Sequence, residues 1–357
     1  MRKPRTIFQV LLGLSLWTAA SAWSATEDLA RYLRPDHPDV YTVVKGDTLW
    51  GISGKFLERP WLWPEIWRIN PQIENPHLIY PGDRIALEWV DGQPQLRLER
   101  GDAGRTYKMT PSDTVSLHPQ VRSTPLESAI PSIRLDAIQG FLVQNRVVEP
   151  EVLSAAPYVV QGESERLVLG AGDRLYVRGV LPDSESFNIV RRGPLYVDPD
   201  TNEVLGQEAT YIGLGEAVAQ HDDIATMFLQ STREEAQIGD RILPTEERKV
   251  DSTFFPSAPD ADIDGQIISV FSGVTQVGQY DVVVVNRGTR EGVEVGNVLA
   301  IYRRGALAHD RIANETVRLP SERAGLLMLF RVFDKLSYGL VLETERPLAV
   351  LDEVRNP

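Results

Sequence analysis

After an apolar opening, the hydrophobic pattern divides the chain into a short mixed unit, a stretch with no period, and a long strand-rich remainder. The mixed unit begins with the β-branched run Tyr41-Thr42-Val43-Val44, which predicts a strand, and Lys45-Gly46 turns the chain. Asp47 stands where a carboxylate can cap a helix, and Leu49, Ile52 and Phe56 then recur at helical spacing. A second helix is predicted over Pro60 to Asn70. Its prolines lie near the first turn, Pro71 blocks continuation, and Ile66 and Ile69 face inward. Pro81-Gly82 then turns the chain into a second strand, Arg84-Ile85-Ala86-Leu87, giving the order β-α-α-β.

From Asp91 to about Pro131 the pattern dissolves into Gly, Pro, Ser and charge, with only short strand candidates such as Gln95 to Leu98, so it reads as linker. Strand signals dominate beyond it: Arg166 to Leu169, Arg174 to Val177, Phe187 to Val190, Ile267 to Val270, Asp281 to Val285, Val298 to Tyr302 and Leu326 to Val332. This half also matches itself. Gly162, Arg178-Gly179, Arg191-Arg192-Gly193, Ala225 to Thr232 and Asp240 align with Gly273, Arg287-Gly288, Arg303-Arg304-Gly305, Ser337 to Thr344 and Asp352. From the double-arginine glycine onward the offset is 112 residues at both ends, with interior gaps of two or three residues, so the similarity is distant. Two tandem small β-barrels or sandwiches explain this economically; chance matching of glycine-punctuated strands is the alternative. The expected architecture is a multidomain α+β chain, with a small βααβ module followed by two mostly-β, tandem-duplicated domains.

The opening reads as an address. Arg2, Lys3 and Arg5 precede the apolar run Ile7 to Ala20, and Ala20-Ser21-Ala22 is a signal-peptidase pattern. This predicts cleavage after Ala22 and a periplasmic, cell-wall-associated product with no integral membrane span. The expected boundaries are 1–22 signal peptide, 23–38 lead, 39–90 first module, 91–131 linker, 132–250 middle β domain, 251–264 linker and 265–357 C-terminal β domain. The chain has no cysteine, so each domain must be held by its own core. A formal charge of −13 argues against a general nucleic-acid binder, which needs a basic surface to displace counterions.

The segment Tyr41 to Trp50, Tyr-Thr-Val-Val-Lys-Gly-Asp-Thr-Leu-Trp, together with Leu78-Ile79-Tyr80-Pro81-Gly82-Asp83, resembles the LysM family. Both halves of the family pattern occur in order and at the right separation. The departure is a tryptophan-rich insert, Trp61-Leu62-Trp63-Pro64 with Trp67. The resemblance implies recognition of GlcNAc-containing glycan in peptidoglycan, with Gly46, Asp47, Thr48 and Leu49 as one lip of a groove and Leu78, Ile79, Tyr80 and Pro81 as the other. Leu49, Ile79 and Pro81 would meet acetamide methyls and sugar faces, and Thr48 could donate a hydrogen bond. Burial is the competing reading for Leu49, and bracing of the turn for Tyr80. Trp61, Trp63 and Trp67 could stack on sugar rings, but core is favoured for at least two of them.

From about Gly265, the stretches Tyr280 to Gly288, Ile301 to Gly305 and Leu319 to Leu326 resemble the C-terminal domain of the flagellar protein FlgT. A LysM module followed by such a domain is similar to the TsaP family, secretin-associated proteins of type IV pili. That likeness implies a non-catalytic wall anchor with an outer-membrane secretin ring as partner. A flagellar basal-body accessory role is the second reading, and a wall hydrolase or hydrolase activator the third. No cofactor or metal is expected. Catalysis finds little support: the histidines His37, His77, His118, His221 and His309 are scattered, and Gly51 to Lys55 lacks phosphate-loop spacing. No Gly-x-Ser-x-Gly elbow occurs. The pairs Asp222-Asp223 and Glu234-Glu235 are adjacent acids that point apart, so no acid, base and nucleophile set converges.

Overall fold

The computed structural model describes residues 29–67, 79–90, 92–99, 132–133, 138, 141, 146–166, 168–245, 254–271 and 276–357. The expected signal peptide, His77, Leu78, His118, Gly273 and most of the expected linker at 91–131 lie outside these residues.

The N-terminal module joins β1 (Val40–Thr42), helix α1 (Leu49–Phe56), helix α2 (Trp63–Trp67) and β2 (Arg84–Val90). Leu49, Ile52, Phe56, Trp63, Ile66 and Trp67 bury one side of the helices against Ile79 and Ile85. The segment read as linker contributes a third strand, β3 (Gln93–Glu99), paired with β2 along its whole length. Leu96 and Leu98 enter the module core from it. The lead is also built in: Leu29 joins that core, and Arg34 N–H donates to the Phe56 carbonyl at 2.9 Å.

The remainder holds two barrels. In the first, β4 (Arg146–Val148) and helix α3 (Pro150–Ala155) precede β5 (Tyr158–Gly162), β6 (Val168–Leu169), β7 (Arg174–Arg178), β8 (Phe187–Val197), β9 (Val204–His221), β10 (Ile224–Thr232), β11 (Ala236–Gln237) and β12 (Arg241–Pro244). Pairing runs β5-β7-β10-β9-β8-β12 and returns to β5, so six strands close on themselves, with β4 added at β9. The second barrel uses β13 (Asp264–Val270), β14 (Gln276–Val277), β15 (Val282–Val285), β16 (Val298–Arg303), β17 (Leu307–Asp310), β18 (Glu315–Arg318), β19 (Glu322–Val332), β20 (Ser337–Thr344), β21 (Leu348–Ala349) and β22 (Glu353–Arg355). Its closed order is β13-β15-β20-β19-β16-β22, the same cyclic order as the first. Closure leaves no free sheet edge in either ring.

The barrels differ in their outer faces. In the first, β7 alternates exposed and buried residues, and a separate cluster of Val190, Ala209 and Leu243 lies under Leu153 and Ala156 at α3. In the second, all four residues of β15 are buried, as is the run Ala324 to Phe330 of β19. Val283, Leu299 and Leu327 fill the inside. Val284, Met328, Phe330 and Tyr338 belong to a second cluster that also contains Trp50, Trp61, Ile133, Ile138, Tyr196 and Leu205. Strands apolar on both faces need cover on both, and here the first module and the first barrel supply it.

Candidate functional site

Two turns with one construction stand side by side in the N-terminal module. In Val44-Lys45-Gly46-Asp47, the Asp47 N–H donates to the Val44 carbonyl (3.1 Å), and Asp47 Oδ2 accepts the Val44 N–H (2.9 Å). In Tyr80-Pro81-Gly82-Asp83, the corresponding contacts are 3.1 and 3.0 Å, through Asp83. The third residue is glycine in both, with φ of +97° at Gly46 and +95° at Gly82, which an L side chain adopts only with strain. The turns are tied together through Val43, whose N–H donates to the Asp83 carbonyl and whose carbonyl accepts from Gly82, each at 2.8 Å. The two short motifs thus form a single double-turn surface, not two separate loops.

This construction corrects the expected role of Asp47. The N-cap of α1 is Thr48, whose Oγ1 accepts the Gly51 N–H at 3.0 Å. Asp47 instead closes its own turn and accepts a hydrogen bond from the Tyr41 hydroxyl at 2.9 Å. A carboxylate with two local donors at hand satisfies both better there than by reaching into the helix. Burial, reinforced by Asp47, pushes the Tyr41 phenol up to about 12, so it remains a neutral donor at physiological pH.

Gly46 is exposed, whereas Asp47, Thr48, Tyr80 and Pro81 are half-buried at the surface of the double turn. Leu49 and Ile79 are buried within the core, so their side chains set the position of each lip from beneath. A Cβ built on Gly46 or Gly82 meets no atom within 4 Å, which leaves the space above both turns open. The surface therefore offers backbone groups, the Thr48 hydroxyl, and the apolar edges of Pro81 and Tyr80. Such a mixture of polar backbone and apolar floor suits a ligand with amide groups and ring faces but little charge.

All three tryptophans of the insert are buried, Trp63 most completely at 2% exposure, with Trp61 at 3% and Trp67 at 6%. Trp63 lies 6.0 Å from the ring of Phe255, beyond the first barrel, and Trp61 packs in the cluster that contains Ile133 and Ile138. The Trp50 N–H donates to the Ser132 carbonyl at 3.1 Å. In this arrangement the insert serves as core and docking surface, and a sugar-stacking platform finds no exposed ring there.

A groove of about 430 Å³ lies beside the double turn, lined by Arg34, Asp36, Pro38, Tyr41, Gly54 and Lys55. The Lys55 ammonium sits 4.8 Å from the Tyr41 ring centroid. Tyr41 borders both features. It stands in the motif, and the signal for its role is a tyrosine six residues ahead of a turn aspartate. Among the described residues no group of three or more His, Cys, Asp or Glu side chains could hold a metal ion, and no helix is long and apolar enough to cross a membrane.

Residues 41–87, which contain both turns, match the LysM domain family. The chain is also similar to the uncharacterized protein YqbP of Bacillus subtilis (strain 168), at 38% identity over 60 residues. That match covers 14% of this chain and 27% of the relative. The chain thus carries a LysM domain near its N-terminus, and such a domain implies binding of peptidoglycan or another GlcNAc-containing glycan.

Proposed function

We propose that this chain is a non-catalytic wall anchor: its LysM module holds GlcNAc-containing glycan through the double turn, and its two barrels carry an envelope assembly, most specifically a type IV pilus secretin. The observation that carries the binding half is the pairing of the Val44–Asp47 and Tyr80–Asp83 turns through Val43, with open space above both glycines. The glycan contacts are assigned to Gly46, Asp47, Thr48, Tyr80 and Pro81, with Leu78 completing the second lip and Leu49 and Ile79 supporting from below.

The anchoring half is supported by domain order and by rigidity. The LysM module does not hang on a free tether: Trp50, Trp61 and Trp63 pack against residues outside it, so pull on the glycan is transmitted to the barrels. The FlgT-like stretches and the shared cyclic strand order support tandem duplication of the barrels and a periplasmic scaffold role. The expected signal peptide fits this location.

The test is sedimentation of the purified protein with sacculi, followed by co-purification with the secretin from detergent extracts. A folded chain that stays in the supernatant while a control LysM protein pellets removes the glycan half. Normal secretin ring assembly and pilus display in a deletion strain removes the secretin half, and lost motility in that strain would favour a flagellar assembly.

A further inference from the structure

Strands β8 and β9 continue beyond the first barrel as an arm whose turn, Asp198 to Glu203, plugs into the second barrel. Asp198 Oδ2 accepts from Asn286 Nδ2 at 2.8 Å and lies 3.6 Å from the Arg287 guanidinium. Glu203 takes both Arg290 terminal nitrogens, at 2.8 and 3.2 Å, with Lys335 at 3.7 Å. Gln266 Nε2 donates to Asp200 at 2.9 Å. Tyr196 and Leu205, behind the turn, are buried in the cluster that covers the outer face of the second barrel.

The second barrel carries the same arm. Asp310-Arg311-Ile312-Ala313-Asn314-Glu315 stands 112 residues after Asp198-Pro199-Asp200-Thr201-Asn202-Glu203. The turns are built alike. Asp198 Oδ1 accepts the N–H groups of residues 200 and 201, and Asp310 Oδ1 those of residues 312 and 313. Asn202 and Asn314 both adopt left-handed φ, at 59° and 53°. The difference lies in what each arm meets. Among the described residues Glu315 has no cationic partner, and Asp310 takes only its own turn. Ile312 is 98% exposed, and Leu307 is 64% exposed. The arm thus presents two bare apolar side chains together with the carboxylates that hold its turn and flank it.

We infer that the β17–β18 arm is a docking plug for a different protein, whose receiving face carries guanidinium or ammonium groups and a side-chain amide around an apolar recess. Asp310 and Glu315 occupy the positions of Asp198 and Glu203, so the cations of the partner meet them as Arg287, Arg290 and Lys335 meet the first arm. Ile312 replaces Asp200, so an apolar recess stands where Gln266 stands here. A second copy does not supply this face. Its own socket is filled by its first arm. The corresponding end of its first barrel has Arg178 paired with Asp223 at 3.4 Å, then Val180 and Leu181. A carboxylate there would repel Glu315.

The inference rests on the anchoring reading only in requiring a second protein, and sacculus sedimentation reports glycan binding separately. The experiment replaces Ile312 by photoreactive benzoylphenylalanine in the full chain, in its own cells, and maps the crosslinked peptide. The expected result is an adduct to another protein within an Arg- or Lys-bearing face, with a yield that falls by more than about tenfold in Asp310→Lys/Glu315→Lys. Asp310 is half-buried and closes its own turn, whereas Glu315 is exposed, so Glu315→Lys alone, which leaves the turn bonds in place and should melt like the parent, must also lower the yield. No adduct, an adduct only between copies, a face without cations, or a yield indifferent to charge reversal each overturns the proposal.

Discussion

Replacing Asp198 by Ala removes one carboxylate that serves two purposes, and the chain supplies its own control. Asp198 is nearly buried and accepts four contacts: the Asp200 and Thr201 N–H groups at 2.9 Å, the Asn286 amide at 2.8 Å, and Arg287 at 3.6 Å. Burial alone would raise its pKa. The Thr201 and Asp200 N–H groups and the Asn286 amide outweigh that and hold it below the usual carboxylate range. Asp310 performs the same turn closure with no barrel contact. Asp310→Ala should therefore cost about 1 kcal/mol, the loss of exposed turn bonds. Asp198→Ala loses those bonds, leaves the buried Asn286 amide hydrogen without its acceptor, and removes the carboxylate beside Arg287, which keeps the Asp264 and Asn286 carbonyls, so about 3 kcal/mol is expected. The difference, about 2 kcal/mol, measures the docking of one barrel on the other. Urea unfolding of both variants gives these values, and hydrogen exchange should show new opening at β13 and β15 in the first variant only. Because the folded pKa of Asp198 is depressed, its contribution is present above about pH 4 and is lost as pH falls through the folded value. Equal losses at the two positions would refute the reasoning, since the carboxylate would then act only on its own turn.

The other predictions concern the LysM module and one buried acid. Asp47→Ala should loosen the first lip by about 1–2 kcal/mol and reduce sacculus binding about tenfold or more; a variant that pellets like the parent would clear Asp47 of any part in the site. Trp63→Ala should destabilise the module by about 3–5 kcal/mol, with binding and folding lost together on a thermal scan; a stable variant that fails to bind would reinstate the stacking idea. Burial raises the pKa of Glu208, and hydrogen bonds from Tyr196 and Thr210 only partly oppose this. A raised folded pKa means that stability linked to Glu208 increases as pH falls through the folded value and is lost as pH rises through it. Glu208→Gln should therefore gain on the parent at neutral pH and lose that advantage as pH falls through the folded value; a pH-independent difference in melting temperature would contradict the assignment.

The double turn was the most legible feature, because Gly-Asp after a strand specifies a turn through two independent physical needs, positive φ and a local acceptor. The cap was misassigned because Asp47 and Thr48 are adjacent and both are good caps; the choice depended on Tyr41, a contact that periodicity cannot show. The strand candidate Gln95 to Leu98 is the centre of β3, but the polar composition around it hid its place in the module, although Asp91-Gly92 is a hairpin signal and Gly92 has φ of +81°. The 18-residue strand β9 was not anticipated because Gly206, Gly213 and Gly215 interrupt its pattern. Those glycines serve close approach: a Cβ at Gly213 would stand 2.5 Å from the Ser231 carbonyl oxygen. The double-arginine glycines fall within β8 and at the end of β16, but ring closure depends on pairings between strands distant in sequence. What the apolar runs of β15 and β19 did carry, unread, was the need for cover on both faces.

That need determines how the parts of the chain are coupled. The first barrel covers Val190, Ala209 and Leu243 with Leu153 and Ala156 at α3, whereas the second buries its outer face with Tyr196 and Leu205 from the first barrel, Trp50 and Trp61 from the LysM module, and Ile133, Ile138 and Phe254. The three units therefore share one apolar layer, and loss of any one exposes the others. A single LysM domain offers few polar contacts to a solvated glycan, so the surplus after ordering costs is small and affinity per chain is modest. Under the anchoring proposal, strength comes from number: copies gathered on one assembly raise the effective concentration of each module at the wall without any new contact. Rigidity is what makes that gain available, because a module fixed to its barrel by Trp61 and Trp63 spends little entropy on being oriented when its neighbours have already bound.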